Sequence, residues 1–179
     1  MARRLAILMF CASFMTGCGE STRPALAQPD LESPETIVRW LESHRQSADR
    51  AFAQGFLPHA HESVKQRNWG AAAKGFGGSA LYYPAPQVLR CYALTALHDI
   101  GPVRTRTGET FKETTDLARA LRLLDSAAAA DAVLIELSPA DKSTLQQDRT
   151  CLQAYLGGKL DATDAARCTP IAAYRSTDR

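Results

Sequence analysis

Cysteines, histidines and one glycine-rich run are the residues whose chemistry could give this chain a function, and their spacing decides which chemistry is open to them. His59 and His61 stand one residue apart, which on a helix turns their side chains about 200° away from each other, so they do not converge on one metal ion. Cys91 and His98 share a helical face, but the rise between them is about 10 Å, too far for a base to take a thiol proton. Lys74-Gly75-Phe76-Gly77-Gly78-Ser79 lacks the G-x-x-x-x-G-K-[ST] order of a phosphate cradle, and no strand pattern precedes it. Inside a helix each of those glycines costs about 1 kcal/mol relative to Ala, so the run predicts close helix packing or a bend. Acidic residues are scattered, with no pair placed for acid–base work. The sequence therefore predicts no catalytic residue, no metal ligand and no cofactor.

Cys18 belongs to a different chemistry. Arg3 and Arg4 precede an apolar run from Leu5, and small residues follow, which is the three-part pattern of an export leader. The run holds about a dozen apolar residues, short of the roughly 20 that a membrane span needs. Met15-Thr16-Gly17-Cys18 resembles the lipobox of bacterial lipoproteins, with Thr16 and Gly17 in the small positions and Met15 in place of the usual Leu. That resemblance implies cleavage after Gly17, lipidation of Cys18, and a tether over residues 18–33. Gly19, rather than Asp, after the lipidated cysteine implies by the same resemblance an outer-membrane protein facing the periplasm. The alternative is a cut within Ala25-Leu26-Ala27-Gln28, a leader of residues 1–27 and a free periplasmic protein.

Processing also changes the charge. The precursor carries 21 basic and 19 acidic residues, and removal of Arg3 and Arg4 leaves 19 against 19. A neutral chain with no Lys/Arg cluster and interleaved aromatics does not predict nucleic-acid binding. Beyond the leader and Cys18, Cys91, Cys151 and Cys168 remain. In an oxidising compartment Cys151 and Cys168 are the expected couple, because the Gly157-Gly158 turn between them can fold the C-terminal segment back; three reduced thiols are the alternative.

The elements that must position these residues are helical. Ser33-Pro34-Glu35 supplies an N-cap, a first-turn proline and an acidic first turn, and Ile37, Trp40, Leu41, His44, Ala48 and Phe52 continue at helical spacing. Pro58 starts or breaks a second helix. A third spans about Asn68 to Tyr82 and a fourth Gln87 to His98, with Pro84 and Pro86 between them. A long Ala- and Leu-rich pattern covers Thr110 to Leu137, Ser138-Pro139 opens another helix, and Gly157-Gly158 ends it. The main internal loop is expected from Ile100 to Glu109, the folded domain over residues 34–170, and a flexible tail over 171–179.

Counting from Trp69, Ala72 lies three residues on, Phe76 seven, Ser79 and Ala80 ten and eleven, and Pro84 fifteen. This spacing resembles the second helix of a tetratricopeptide repeat, in which small residues let helices approach and aromatics fill the gaps between them. Leu89, Tyr92, Ala93 and Ala96 resemble the first helix of a following repeat. The resemblance implies an all-α fold of helical hairpins stacked as a short solenoid, with a plain helical bundle as the alternative, and Trp69, Phe76, Tyr82 and Tyr83 at the core and groove edge. It further implies a non-enzymatic envelope protein, membrane-attached through Cys18, that holds a protein or peptide partner as a scaffold or assembly factor. A soluble periplasmic domain binding a small ligand is the other function class.

Overall fold

A computed structural model describes residues 27–102 and 109–176. Among these residues the fold is all-α, with no strand. The leader, Cys18 and most of the expected internal loop lie outside the described residues.

Helix α1 covers Pro34–His44, α2 Arg50–Gly55, α3 Leu57–Lys65, α4 Trp69–Tyr82, α5 Pro86–Ile100, α6 Glu109–Leu134, α7 Pro139–Leu156, α8 Ala162–Arg167 and α9 Thr169–Arg175. Five of the starts are set by side-chain caps. Ser33 accepts from the Thr36 N–H, Asp49 from Phe52, Asn68 from Ala71, Ser138 from Asp141 and Asp161 from Asp164, each satisfying a donor that the helix itself leaves open.

The first helix is shorter than its periodicity predicts. It ends at His44, because the His44 carbonyl accepts from both Ser47 and Ala48 in a turn and Asp49 then caps a fresh helix. Phe52, expected on the same buried stripe, is therefore exposed on α2. Pro58 sits in the first turn of α3, where its missing N–H breaks no helical bond.

Helices α3, α4 and α5 run antiparallel in succession. The pairs Gly75 with Ala60 and Gly78 with Phe56 fix α4 against α3, while Gly77 with Tyr92 and Gly70 with Asp99 fix it against α5. In both sets one residue number rises as the other falls, as antiparallel packing requires. The glycine run resolves as close packing: a Cβ on Gly75 would lie 2.8 Å from the Ala60 Cβ.

Helices distant in sequence close the structure. α6 packs on α5, α7 and α1, and α9 packs on α5. The core they share includes Ile37, Leu41, Phe76, Leu89, Leu97, Leu117, Leu124, Leu152, Ile171 and Tyr174. Burial of such side chains supplies about 1.5–3 kcal/mol apiece before entropy is counted.

Both expected chain ends need correction. The tail predicted over 171–179 is α9 as far as Arg175, with Ile171, Ala173 and Tyr174 buried. The sequence pattern understated it because a single short helix carries too few residues to show a period; its partners lie on α5, α6 and α7. The tether predicted to end at Ser33 is docked well before that point. Pro29 is buried, Leu31 packs on the core, and the Trp40 indole donates to the Ala27 carbonyl at 2.6 Å. Glu32 accepts from Arg119 at 2.5 Å and from Arg122 at 2.8 Å on α6. The folded domain thus begins near Ala27 and runs through α9.

Candidate functional site

The glycines of α4 that face α5 leave a cleft. Gly70, Ala73, Lys74, Gly77 and Gly78 form one side, Tyr92, Ala96, Asp99 and Ile100 of α5 the other, and Arg119 of α6 closes one edge around about 340 Å³. Gly70, Gly77 and Gly78 carry no side chain, and neighbours close on them: Asp99 on Gly70, Tyr92 on Gly77 and Phe56 on Gly78. The Tyr92 ring lies over Gly77, where an added Cβ would meet it at 3.1 Å. Lys74, Asp99 and Arg119 are exposed and place both signs of charge at the rim. Arg119 is held there by Glu32, and that ion pair raises the guanidinium pKa above its usual value. Burial opposes ionisation of Glu32, but its bonds to Arg122 and Arg119 prevail and hold the carboxyl below the usual range.

Of the residues singled out by the repeat resemblance, Ala72, Phe76, Ala80 and Pro84 are buried. Trp69 is half-buried and stacks on His98, with ring centroids 4.0 Å apart and planes at 12°. Tyr83 is buried, and its hydroxyl donates to Glu136 at 2.8 Å while accepting from Arg50, whose guanidinium lies over the Tyr83 ring. Arg50 also pairs with Glu136, so one cluster clasps the start of α2, the α4–α5 turn and the α6–α7 turn. Tyr82 instead faces outward with Phe52.

The Cys151 and Cys168 sulfurs are bonded at 1.94 Å, with Cα atoms 5.8 Å apart. The bond joins α7 to the junction of α8 and α9. Cys91 is the free thiol among the described residues, and burial pushes its pKa up, which disfavours the reactive thiolate. His98, its partner in spacing, stacks on Trp69 at the other end of α5. His59 and His61 are both exposed on α3, with the His61 ring edge-on to Phe76. Among the described residues, no group of three His, Cys, Asp or Glu side chains is placed to hold a metal ion.

Two buried carboxylates have structural partners that the sequence did not reveal. Asp131 at the end of α6 accepts from the Glu136 and Leu137 N–H groups at 3.0 and 2.8 Å and pairs with Lys142 at 3.0 Å. Burial works against its charge, yet the Leu137 N–H and Lys142 outweigh it and keep the pKa below the usual value. Asp148 on α7 pairs with Arg90 on α5 at 2.8 Å while only 3% exposed, and here burial wins and raises the pKa.

Lys74, Asp99, Tyr92 and Arg119 were not legible as one site. The signal available was the glycine run, which announces a close approach without saying which neighbour makes it. Comparison of the chain with protein-family models, curated proteins and solved structures returns no match.

Proposed function

We propose that this is a non-enzymatic lipoprotein of the cell envelope, anchored at Cys18 on the periplasmic side of the outer membrane, whose helical domain holds a protein partner. The observation that carries the reading is the glycine-lined cleft between α4 and α5. A peptide segment can enter the space between the two helices, where Lys74, Asp99 and Arg119 offer both charges to its polar groups. The leader pattern and the Met15–Cys18 motif support the anchored location. Among the described residues no helix is long and apolar enough to cross a membrane.

The repeat-like reading rests on α3, α4 and α5, which follow one another antiparallel with small residues at their contacts. α1 beside α6 and α9 beside α5 pair helices far apart in sequence, which a linear stack keeps apart and a bundle does not. We therefore restrict the tetratricopeptide likeness to that three-helix core and read α1, α6 and α9 as its closure.

A photo-crosslinking side chain at position 74 in living cells should yield one discrete protein adduct, and Ala96→Leu, which extends a side chain from the half-buried α5 wall into the cleft, should abolish it. The same group at Lys159 should give none. Adducts indifferent to Ala96→Leu would refute the cleft as the binding site. A small-ligand reading is favoured by one feature: the cleft volume falls within the range of about 300–1,000 Å³ typical of ligand pockets. A native mass spectrum with a retained small molecule, lost in Ala96→Leu, would select it instead.

A further inference from the structure

Among the described residues, the large hydrophobic side chains left exposed are Phe52 at 49%, Tyr82 at 37% and Ile135 at 75%. They lie on α2, on α4 and in the turn after α6, all at one end of the molecule. Phe52 is two residues after Arg50, Tyr82 one before Tyr83 and Ile135 one before Glu136, and Arg50, Tyr83 and Glu136 are bonded together. Phe52 and Tyr82 are in edge contact with centroids 4.5 Å apart, and Phe56 backs both.

Ile135 adds a second observation. Its φ is +55°, a backbone conformation that a β-branched residue adopts at a cost and that Gly or Asn occupies readily at a helix end. Asp131, through its carboxylate bonds to Glu136 and Leu137, holds the turn in this shape. An exposed isoleucine gains no packing in return, so both strain and exposure point to a use outside the fold.

The N-terminal arm leaves from the same end of the molecule. Ala27 is bonded to Trp40, one turn before the end of α1, and Trp40 stacks on His44, from which a compact turn leads to Arg50. If Cys18 carries lipid, residues 18–26 are all that separates Ala27 from the bilayer, at most about 30 Å of chain. The apolar end is thus held within reach of the membrane surface.

We propose that the Phe52–Tyr82–Ile135 surface docks on the lipid bilayer that anchors the chain, seating the domain with this end against the headgroups. The inference rests on the lipoprotein reading of Cys18. The surface is small: its exposed fractions amount to about 300 Å² on the scale of aromatic side chains, well under the roughly 800 Å² per partner of a stable protein interface. A surface of that size suits a bilayer, because the anchor already supplies a high local concentration and docking needs little affinity of its own. Phe, Tyr and Ile also match the interface, where an apolar body sits below the headgroups and the tyrosine hydroxyl stays wet.

The test uses the full mature protein, purified from membranes and reconstituted into vesicles of phosphatidylethanolamine and phosphatidylglycerol with brominated acyl chains. Phe52→Trp is compared with Gln153→Trp. Gln153 is exposed on α7, about 20 Å along that helix from Pro139 and the turn that carries Ile135. Trp40 and Trp69 give both variants the same background. Docking to a depth of about 5–10 Å should quench position 52 at least about two-fold more than position 153. Adding Ile135→Glu and Tyr82→Glu should remove the difference. Equal quenching at 52 and 153, with the mass spectrum showing acylated Cys18, overturns docking and leaves anchoring intact. A mass spectrum with no lipid on Cys18 overturns both. A concentration-dependent blue shift of Phe52→Trp without vesicles overturns the bilayer as occupant and assigns the surface to a second copy.

Discussion

Replacing Gly75 with Ala tests whether α3 and α4 are as close as the fold requires. A methyl on Gly75 would stand 2.8 Å from the Ala60 Cβ and 3.3 Å from its Cα. Carbon atoms pack best at about 3.5–4.0 Å, so the hairpin must open by several tenths of an ångström or more. Against this, Ala in place of Gly favours the helix by about 1 kcal/mol. Overpacking of a tight interface costs about 1–3 kcal/mol, so the net expectation is a loss of about 1 kcal/mol. Ala60→Gly alone should also destabilise, by about 1 kcal/mol of helix propensity. The double variant removes the clash and should recover a coupling of about 1–3 kcal/mol relative to the sum of the singles. Gly55→Ala is the control, since nothing lies within 4 Å of the added methyl. Urea unfolding followed by far-ultraviolet circular dichroism reads all four; with a slope of about 2 kcal/mol per M, the Gly75→Ala midpoint falls by about 0.5 M. A Gly75→Ala protein more stable than the parent by the full propensity gain, with no coupling to Ala60, would refute the close hairpin.

The two buried carboxylates should respond to pH with opposite signs. Asp131 has a folded pKa below its ordinary value, so its contribution is complete above that value and is lost as pH falls through the folded one; Asp131→Asn should flatten the acid limb of a melting-temperature profile. Asp148 has a raised folded pKa, so the native state holds its proton more tightly and stability falls as pH rises through the interval between the two values; Asp148→Asn should remove that fall. Asp148→Ala, which strands Arg90, should cost about 3–5 kcal/mol in a denaturant titration. Reducing the Cys151–Cys168 bond, which closes a span of 17 residues, should lower stability by about 3 kcal/mol and speed hydrogen exchange in α8 and α9 before α5. Ser126→Ala should be neutral or stabilising by about 1 kcal/mol on unfolding, because the Ser126 hydroxyl is buried without a hydrogen-bond partner among the described residues.

Much of the local structure was legible because its causes are local. Asn68, Ser138 and the Ser33-Pro34 pair mark helix starts through bonds made within one turn, and the stripe of Ile37, Trp40 and Leu41 records a buried face through spacing alone. The break after His44 was missed, since Ala48 and Phe52 keep the helical period and only the Asp49 cap and the doubled bond to the His44 carbonyl interrupt it. α9 was missed for lack of length, although Pro170, Ile171, Ala173 and Tyr174 are all buried.

The site divides along the same line. By itself the sequence determined that the glycines at 75, 77 and 78 mark a close helix approach or a bend, that the folded part is helical, and that Cys151 and Cys168 are separated by a turn able to reunite them. Tertiary structure alone decided which neighbours approach: Ala60 and Phe56 fill one side of α4, whereas Tyr92, Asp99 and Arg119 leave a cleft on the other. It also gathered Arg50, Tyr83 and Glu136, and with them the exposed Phe52, Tyr82 and Ile135, at the end where the N-terminal arm departs. Helical period and capping act over a turn or two and are written in neighbouring residues. Juxtaposition of side chains on different helices depends on how the buried faces fit together, and no single stretch of chain contains that fit.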